Sequence, residues 1–193
     1  MIIGITGGTG CGKTTLLKLI EELGGTVLDC DAIYHQLLST DRSLLHAIES
    51  RFPGTVAKGC LDRKKLGSIV FGDDAALQDL NRITHGAVKE AVLWHLESKP
   101  ALAAIDAIGL FEGGLAELCD VTVAVSAPRE GRIVRLMERD GISAEYAAKR
   151  IDAQHPAAWF AQRCDHVLEN NETQERFRNK CLAFLQGLGI MEA

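Results

Sequence analysis

No stretch of the 193-residue sequence is both apolar and long enough to cross a bilayer, which takes about 20 residues. The amino terminus also lacks the basic region, the long apolar stretch and the small-residue cleavage site of a signal peptide. We therefore expect a cytoplasmic protein that does not associate with a membrane. The content of 47% hydrophobic and 24% charged residues is ordinary for a globular chain.

The six cysteines form no C-x-x-C pair and no Cys/His cluster at zinc-binding spacing. We predict reduced thiols that mostly pack in the interior.

An excess of positive charge is missing as well, since a net charge of -5 gives no overall attraction to polyanions. Nucleic acid is therefore not an expected partner. Internal repeats and proline-rich linkers are absent, and the length suits one domain with a substantial core.

What the sequence does contain is a series of short, continuous apolar runs separated by longer helical patterns. Continuous apolarity predicts strands that are buried on both faces, as in a parallel sheet with helices on each side. The predicted fold class is therefore α/β, a three-layer sandwich around a sheet of about five parallel strands. The runs lie at residues 2–6, 26–29, 101–105, 121–125 and, more weakly, 166–168.

Two longer segments interrupt this alternation. Residues of about 31–99 are mainly helical in pattern, and they are far more than the roughly dozen residues of a minimal crossover. In the second segment, about 129–156, Pro128 marks a helix start and Gly141 breaks the pattern before Ser143 can cap the next helix. Its size and its arginines resemble those of a lid. The core of a single domain spanning 1–193 would comprise residues of about 1–30, 100–128 and 157–193.

The most specific motif is Gly-Gly-Thr-Gly-Cys-Gly-Lys-Thr at residues 7–14, a complete G-x-x-x-x-G-K-[ST] phosphate-binding loop, or P-loop. It follows a predicted strand and opens a helical pattern, so its N–H groups would lie at the positive end of a helix dipole. Lys13 would neutralise β- and γ-phosphate oxygens of ATP, and the Thr14 hydroxyl would be a ligand of Mg²⁺. The predicted nucleotide-binding residues of this segment are Gly8, Gly10, Cys11, Gly12, Lys13, Thr14 and Thr15.

A P-loop alone does not separate kinases from GTPases, motor ATPases and regulatory switches. The sequence contains no Asn-Lys-x-Asp that would recognise guanine. Asp29 and Asp31, in contrast, stand at the carboxyl end of the second predicted strand, where an open α/β sheet places its ligand crevice. A carboxylate there can orient an attacking hydroxyl and accept its proton, which favours a kinase with Asp31 as the catalytic residue. The alternative is that both aspartates only start the next helix.

Three arginines of the predicted lid, Arg132, Arg135 and Arg139, are spaced i, i+3 and i+7, which places them along one helix face. Arginine suits phosphate binding because its planar fork pairs with two oxygens and stays charged. The three could close on the transferring phosphates, with Arg135 binding the nucleotide. They could equally form a solvated face that pairs with nearby acidic residues.

The sequence also indicates the surroundings of Trp94 and Cys11. Trp94 lies in an apolar stripe and is expected in the core. Cys11, at the start of a predicted helix, would be open to oxidation if the helix terminus favours its thiolate.

These residues together resemble one family, the dephospho-CoA kinases, which are related in fold to the nucleoside monophosphate kinases. The most specific part is residues 59–71, similar to the family's D-G-x-L-D-R-x-x-L-x-x-x-V-F, a string that general nucleotide kinases lack. Asp29-Cys30-Asp31 with His35 resembles the family's Asp-Ala-Asp and the His or Arg that follows. Further matches lie at residues 83–85, 110–112, 135–140, 151–154 and 161–171, so that the resemblance covers nearly the whole chain.

The resemblance implies Mg²⁺-dependent transfer of the γ-phosphate of ATP to the ribose 3′-hydroxyl of dephospho-CoA, the last step of coenzyme A biosynthesis. It implies Asp31, Lys13 and Arg139 as catalytic residues, and it places Asn170 near the adenine. ATP and dephospho-CoA would be the partners of a monomer or small homo-oligomer, and residues 31–99 would bind the acceptor. The acceptor-binding residues would be Asp31, His35, Arg63, His85 and Glu112.

The sequence departs from the family pattern at three places. Lys58 stands where the family has an acidic residue, Gly86 where it has proline, and Ile108-Gly109 where it has Pro-Leu. None of these changes touches the P-loop or the predicted catalytic aspartate, so they concern acceptor affinity more than reaction type. Two alternatives stay open, a P-loop kinase for another nucleotide or metabolite hydroxyl and a non-catalytic regulator that binds ATP.

Overall fold

The computed structural model describes residues 1–191, and the chain divides into two compact units. Unit 1 comprises residues 1–28, 100–110 and the chain from Ala116 on, and unit 2 comprises residues 29–99 and 111–115. In chain order the strands are β1 (Ile2–Thr6), β2 (Thr26–Asp29), β3 (Val56–Ala57), β4 (Cys60–Leu61), β5 (Ala103–Asp106), β6 (Val121–Ser126) and β7 (His166–Glu169). The α-helices are α1 (Lys13–Glu22), α2 (Cys30–Thr40), α3 (Arg42–Arg51), α4 (Arg63–Val70), α5 (Asp74–Leu96), α6 (Arg129–Asp140), α7 (Ala144–Asp152), α8 (Ala157–Ala161) and α9 (Gln174–Gly187).

A five-stranded sheet of order β2-β5-β1-β6-β7 forms the centre of unit 1. Its central strand β1 pairs in parallel with both β5 and β6, and β6 pairs in parallel with β7. Ile3 and Ile5 of β1 are fully buried. The α/β class and the parallel sheet predicted from continuous apolar runs are therefore confirmed, with each strand within two residues of its predicted start. Since Ile5 lies opposite Asp106, the carboxyl ends of β1 and β5 meet at one edge.

Helices α1 and α9 pack against the sheet and against each other in the main core cluster. Phe177, Cys181 and Leu185 of α9 are fully buried and recur every four residues, which is the spacing of one helix face. This packing holds α1, and with it the end of the P-loop, on the sheet.

Helices α6 and α7 form a smaller pair around the buried residues Leu136, Ala147 and Ile151. Gly141 ends α6 in a left-handed conformation with φ of 64°, which favours glycine. The Ser143 hydroxyl then caps α7 by accepting the N–H of Tyr146 at 3.2 Å. The predicted helix break and the predicted cap are both present.

Replacing Leu136 with alanine is expected to lower the free energy of unfolding by about 2–5 kcal/mol, because the side chain is fully buried between α6 and α7. Urea unfolding followed by circular dichroism measures this change. Val134→Ala on the same helix is the control, since Val134 is 52% exposed and its truncation should cost less than about 0.5 kcal/mol. Equal effects of the two substitutions would contradict the packing of this pair.

Unit 2 consists of helices α2 to α5 and the short antiparallel hairpin β3–β4 around a core of its own. Each of these helices begins after an aspartate whose carboxylate accepts backbone N–H groups of the first turn. The sequence prediction of a mainly helical segment is correct, but it missed the hairpin, whose strands of two residues each are too short to show a period. The capping residues are Asp29, Asp41, Asp62 and Asp73.

Trp94 is 66% exposed, so its predicted place in the core is wrong. The buried face of α5 is formed by Thr84, Val88 and Val92, and a residue two positions after Val92 points away from that face.

All six cysteines are free thiols, three of them buried. Among the residues that the structure describes, no helix has the length and apolarity to span a membrane.

Candidate active site

The P-loop connects β1 to α1, and its backbone explains most of its glycines. Gly7, Gly10 and Gly12 have φ values of 133°, 76° and 103°, a region that side chains disfavour. Gly12 is also the residue that immediately precedes α1. The loop therefore ends at a helix amino terminus, where unpaired N–H groups and the helix dipole favour a bound phosphate.

Lys13 lies over this loop. Its Nζ donates a hydrogen bond to the Gly7 carbonyl at 3.2 Å and lies 3.7 Å from Oδ1 of Asp106. Asp106 is the last residue of β5, at the same edge of the sheet as the loop. Sequence inspection missed this aspartate, although it begins an Asp-x-x-Gly string directly after an apolar run. The carboxylate holds the ammonium group at the mouth of the loop.

The chemistry of the donor groups fits a magnesium ion. Mg²⁺ prefers oxygen ligands, and it is commonly bound by one or two protein oxygens together with phosphate oxygens and water. The Thr14 hydroxyl, exposed in the first turn of α1, and the Asp106 carboxylate are of this type. No group of three or more His, Cys, Asp or Glu residues that could enclose a metal occurs within residues 1–191. These groups suit an ion that is shared with a bound nucleotide.

Two of the three arginines predicted to share one face of α6 contact the P-loop. The buried Arg132 donates from Nε to the Thr9 carbonyl at 2.8 Å and from Nη2 to Oε1 of Gln154 at 3.2 Å. Arg135 donates from Nη1 to the Gly10 carbonyl at 3.1 Å. The predicted arginine face of α6 therefore lies against the loop over these two residues.

Arg139 is engaged differently. Its Nε and Nη2 donate to the two carboxylate oxygens of Asp140 at 2.7 and 3.0 Å, and Asp140 also accepts from Arg150. The hydrogen bond from Arg139 is the main cause that lowers the pKa of Asp140 to about 2, and Arg150 contributes. In this structure Arg139 therefore forms an exposed ion pair, as in the alternative reading of the arginine stripe.

Asn170 also contacts the loop, at Cys11. It directly follows β7, is 6% exposed, and donates from Nδ2 to the Cys11 carbonyl at 2.9 Å. Cys11 itself is buried, and burial raises the pKa of its thiol although Lys13 and Arg132 oppose this. Burial therefore disfavours the thiolate on which the expected oxidation of Cys11 depends.

Unit 2 carries the predicted acceptor residues, beginning with the exposed Asp31 in the first turn of α2. The carboxylate of Asp29 caps this helix by accepting the N–H groups of Asp31 and Ala32 at 2.9 and 3.0 Å. His35 follows Asp31 by four residues, so both lie on one face of α2. Nη2 of Arg63, the first residue of α4, lies 3.4 Å from Nδ1 of His35. The structure thus brings Asp31, His35 and Arg63 to one surface.

His85 and Glu112, the other two predicted acceptor residues, line a common pocket of about 390 Å³ in unit 2. His85 lies on α5 and Glu112 on the short segment 111–115 that belongs to this unit. Gln78, Asn81 and Arg82 complete the lining, and none of the three was singled out from the sequence. The pocket combines basic, acidic and amide groups, which suits a polar ligand.

The fold and the loop geometry define this protein as a member of the P-loop NTPase class. A shikimate kinase structure from Bacteroides thetaiotaomicron shares the fold, with 17% identity, a TM-score of 0.54 and 98% of each chain covered. The family model described as dephospho-CoA kinase matches residues 1–175. The chain belongs to the dephospho-CoA kinase family.

Individual relatives support the assignment. The dephospho-CoA kinase of Geobacillus kaustophilus is 35% identical over 198 aligned positions, which cover 100% of this chain and 98% of the relative. A solved structure of the dephospho-CoA kinase from Campylobacter jejuni has 27% identity and a TM-score of 0.67, with 98% of each chain covered. The resemblance inferred from the sequence motifs is thereby confirmed at the level of the family.

Proposed function

We propose that this protein transfers the γ-phosphate of ATP to the ribose 3′-hydroxyl of dephospho-CoA and releases CoA and ADP. What carries the proposal is that the family match spans residues 1–175, so it includes both the P-loop and the segment with Asp31. A match confined to the P-loop would support nucleotide binding alone. In this proposal residues of about 31–99 bind the acceptor and residues of about 129–156 act as the lid.

On the nucleotide side, the loop N–H groups and Lys13 bind the β- and γ-phosphates, and Arg135 adds a second positive charge at Gly10. The Thr14 hydroxyl and the Asp106 carboxylate would hold Mg²⁺, which neutralises phosphate charge when it is bound. Because Lys13 already lies 3.7 Å from Asp106, its ammonium group is held at the loop before ATP arrives. Asn170 supports the same loop through Cys11 and is proposed to lie near the adenine.

On the acceptor side, Asp31 accepts a hydrogen bond from the ribose 3′-hydroxyl and takes its proton as transfer proceeds. The acceptor oxygen forms a bond to the γ-phosphorus, and the bond from this phosphorus to the bridging oxygen of ADP breaks. His35 and Arg63, which lie 3.4 Å apart, supply positive and hydrogen-bonding groups for the acceptor. His85 and Glu112 are proposed to bind a polar part of the same molecule.

Most of the rate acceleration in this scheme comes from positioning and charge neutralisation, because phosphoryl transfer needs little covalent help from the protein. The guanidinium groups of α6 are suited to charge neutralisation. Arg139 would have to exchange its pairing with Asp140 for the phosphates of the transition state. Its role as a catalytic residue is therefore proposed for a closed form of the lid.

The test is ADP release from ATP and Mg²⁺ in the presence of dephospho-CoA, compared with adenosine, AMP, shikimate and no acceptor. We expect stimulation by dephospho-CoA alone, with CoA identified by mass spectrometry as the product. Stimulation by another of these acceptors would retain a P-loop kinase and reject the proposed substrate. ATP binding without stimulation by any acceptor would instead support a nucleotide-dependent regulator.

A further inference from the structure

Three groups form a closed set of hydrogen bonds around Thr9 in the P-loop. Nε of Arg132 donates to the Thr9 carbonyl at 2.8 Å, and the Thr9 N–H donates to Oε1 of Gln154 at 2.8 Å. The same Gln154 oxygen accepts a bond from Nη2 of Arg132 at 3.2 Å. We call Arg132, Gln154 and the Thr9 backbone the Thr9 clamp. The clamp fixes both peptide groups that flank one loop residue.

The clamp is packed directly against the glycines next to Thr9. A Cβ atom on Gly8 would lie 2.3 Å from Nη2 of Arg132 and 3.1 Å from Oε1 of Gln154. A Cβ atom on Gly10 would lie 2.9 Å from the Arg132 carbonyl. Gly8 lacks the positive φ of Gly7 and Gly10, so a side chain at this position is opposed by the contact with the clamp rather than by the backbone. The loop and the clamp are therefore shaped to each other.

The burial of Arg132 argues that the clamp does more than stabilise the fold. The residue is 8% exposed, and the acceptors of its hydrogen bonds are a carbonyl and an amide oxygen, both neutral. Burying a guanidinium group is costly, and well-packed apolar residues often replace buried charges without loss of stability. The N–H donors of the Arg132 guanidinium group set the orientation of the Thr9 carbonyl, which an apolar residue at this position could not do.

We propose that Arg132 and Gln154 are positioning residues that hold the P-loop in its ATP-binding conformation before the nucleotide arrives. When the peptide groups of the loop are already oriented, phosphate binding does not have to order the loop. The entropy cost of that ordering is then avoided. Neither residue has to contact ATP for this effect. The inference rests on ATP as the nucleotide of the proposed function and does not depend on which acceptor is phosphorylated.

The clamp also links the loop to the segment of residues 129–156. Arg132 lies in the first turn of α6, and Gln154 follows the end of α7. Both ends of the helix pair therefore contact a single loop residue. A change in the angle between α6 and α7 would alter the two bonds to Thr9 together.

Arg132→Met tests the clamp, with Arg129→Met as its matched control. Methionine replaces the stem of the arginine side chain without its guanidinium group and suits a buried position, so the melting temperature should stay close to that of the wild type. Arg129 lies on the same helix and pairs with Asp152 of α7, but its contact is exposed and does not involve the loop. We expect Arg132→Met to raise the Kd for ATP about tenfold or more, measured by calorimetry without acceptor, and Arg129→Met to leave it within about twofold.

Gln154 provides an independent test. Gln154→Leu removes the acceptor of the Thr9 N–H and should weaken ATP binding, whereas Gln154→Glu keeps an acceptor oxygen at this place and should restore most of the affinity. Since the two side chains act on one residue, the Arg132→Met and Gln154→Leu effects on the Kd should be less than additive in the double variant.

An unchanged Kd for ATP in folded Arg132→Met and Gln154→Leu would overturn the proposal. A fall in melting temperature and active fraction without a change in the Kd for ATP would also overturn the proposal, because this result would show that the clamp acts on stability alone. Failure of the proposed function is seen separately, as wild-type protein that binds ATP but does not phosphorylate dephospho-CoA. Wild-type protein that does not bind ATP would overturn both.

Discussion

Replacing Asp31 with asparagine is expected to lower kcat by about 10²–10⁴-fold while the Kd for ATP stays close to that of the wild type. The amide has nearly the volume of the carboxylate but cannot accept the proton of the acceptor hydroxyl. Helix α2 should be unaffected, because the hydrogen bonds to its first N–H groups come from Asp29. Steady-state kinetics with dephospho-CoA and calorimetry with ATP measure the two quantities separately.

Asp29→Asn is the control for this experiment. It removes a carboxylate two residues away and keeps the cap, since asparagine caps helices as well as aspartate does. We expect a change in kcat of only a few-fold. Comparable losses in the two variants would show that general negative charge at the end of β2 matters, and a fully active Asp31→Asn enzyme would remove Asp31 from the proposed mechanism.

Lys13→Met is expected to reduce kcat/KM for ATP by about 10²–10³-fold. The variant lacks the positive charge proposed to act on the β- and γ-phosphates, and it leaves the Asp106 carboxylate without the ammonium group 3.7 Å away. Because the side chain of Lys13 is 13% exposed, water replaces this ammonium group poorly. Initial rates at varied ATP and saturating dephospho-CoA provide the measurement.

Lys18→Met on the same helix serves as the comparison, since Lys18 is exposed and lies more than one turn beyond the loop. Its kcat/KM should remain within about twofold of the wild type. If Lys13→Met and Lys18→Met behave alike, the charge of α1 as a whole rather than the loop lysine supports catalysis. Such a result would contradict the role proposed for Lys13.

Secondary structure was predictable wherever the signal is local. The positions of β1 and β2 follow directly from continuous apolar runs, and the break at Gly141 follows from a residue that tolerates positive φ. The prediction failed for the β3–β4 hairpin and for Trp94. Two-residue strands have no measurable period, and an apolar stripe does not reveal which of its members faces a neighbouring helix.

The candidate site was predictable only in part. The P-loop was recognised from its own residues, and the acceptor residues His35 and Arg63 were implied by family motifs and then found 3.4 Å apart. Asp106 was missed because its importance depends on β5 lying next to β1, a pairing that no single segment encodes. For Gln154 the sequence showed only a match to a family motif, and nothing in it indicated that this side chain contacts Thr9.

By itself the sequence determined that this protein has a parallel α/β fold and a P-loop, and its motifs placed it in the dephospho-CoA kinase family. These features depend on contiguous residues whose spacing sets backbone conformation and helix or strand period. The tertiary structure alone decided what holds the loop in place. Thr9 meets Arg132 and Gln154 across 123 and 145 residues, and Cys11 meets Asn170 across 159. Such contacts arise from how helices and strands pack, which local spacing does not specify.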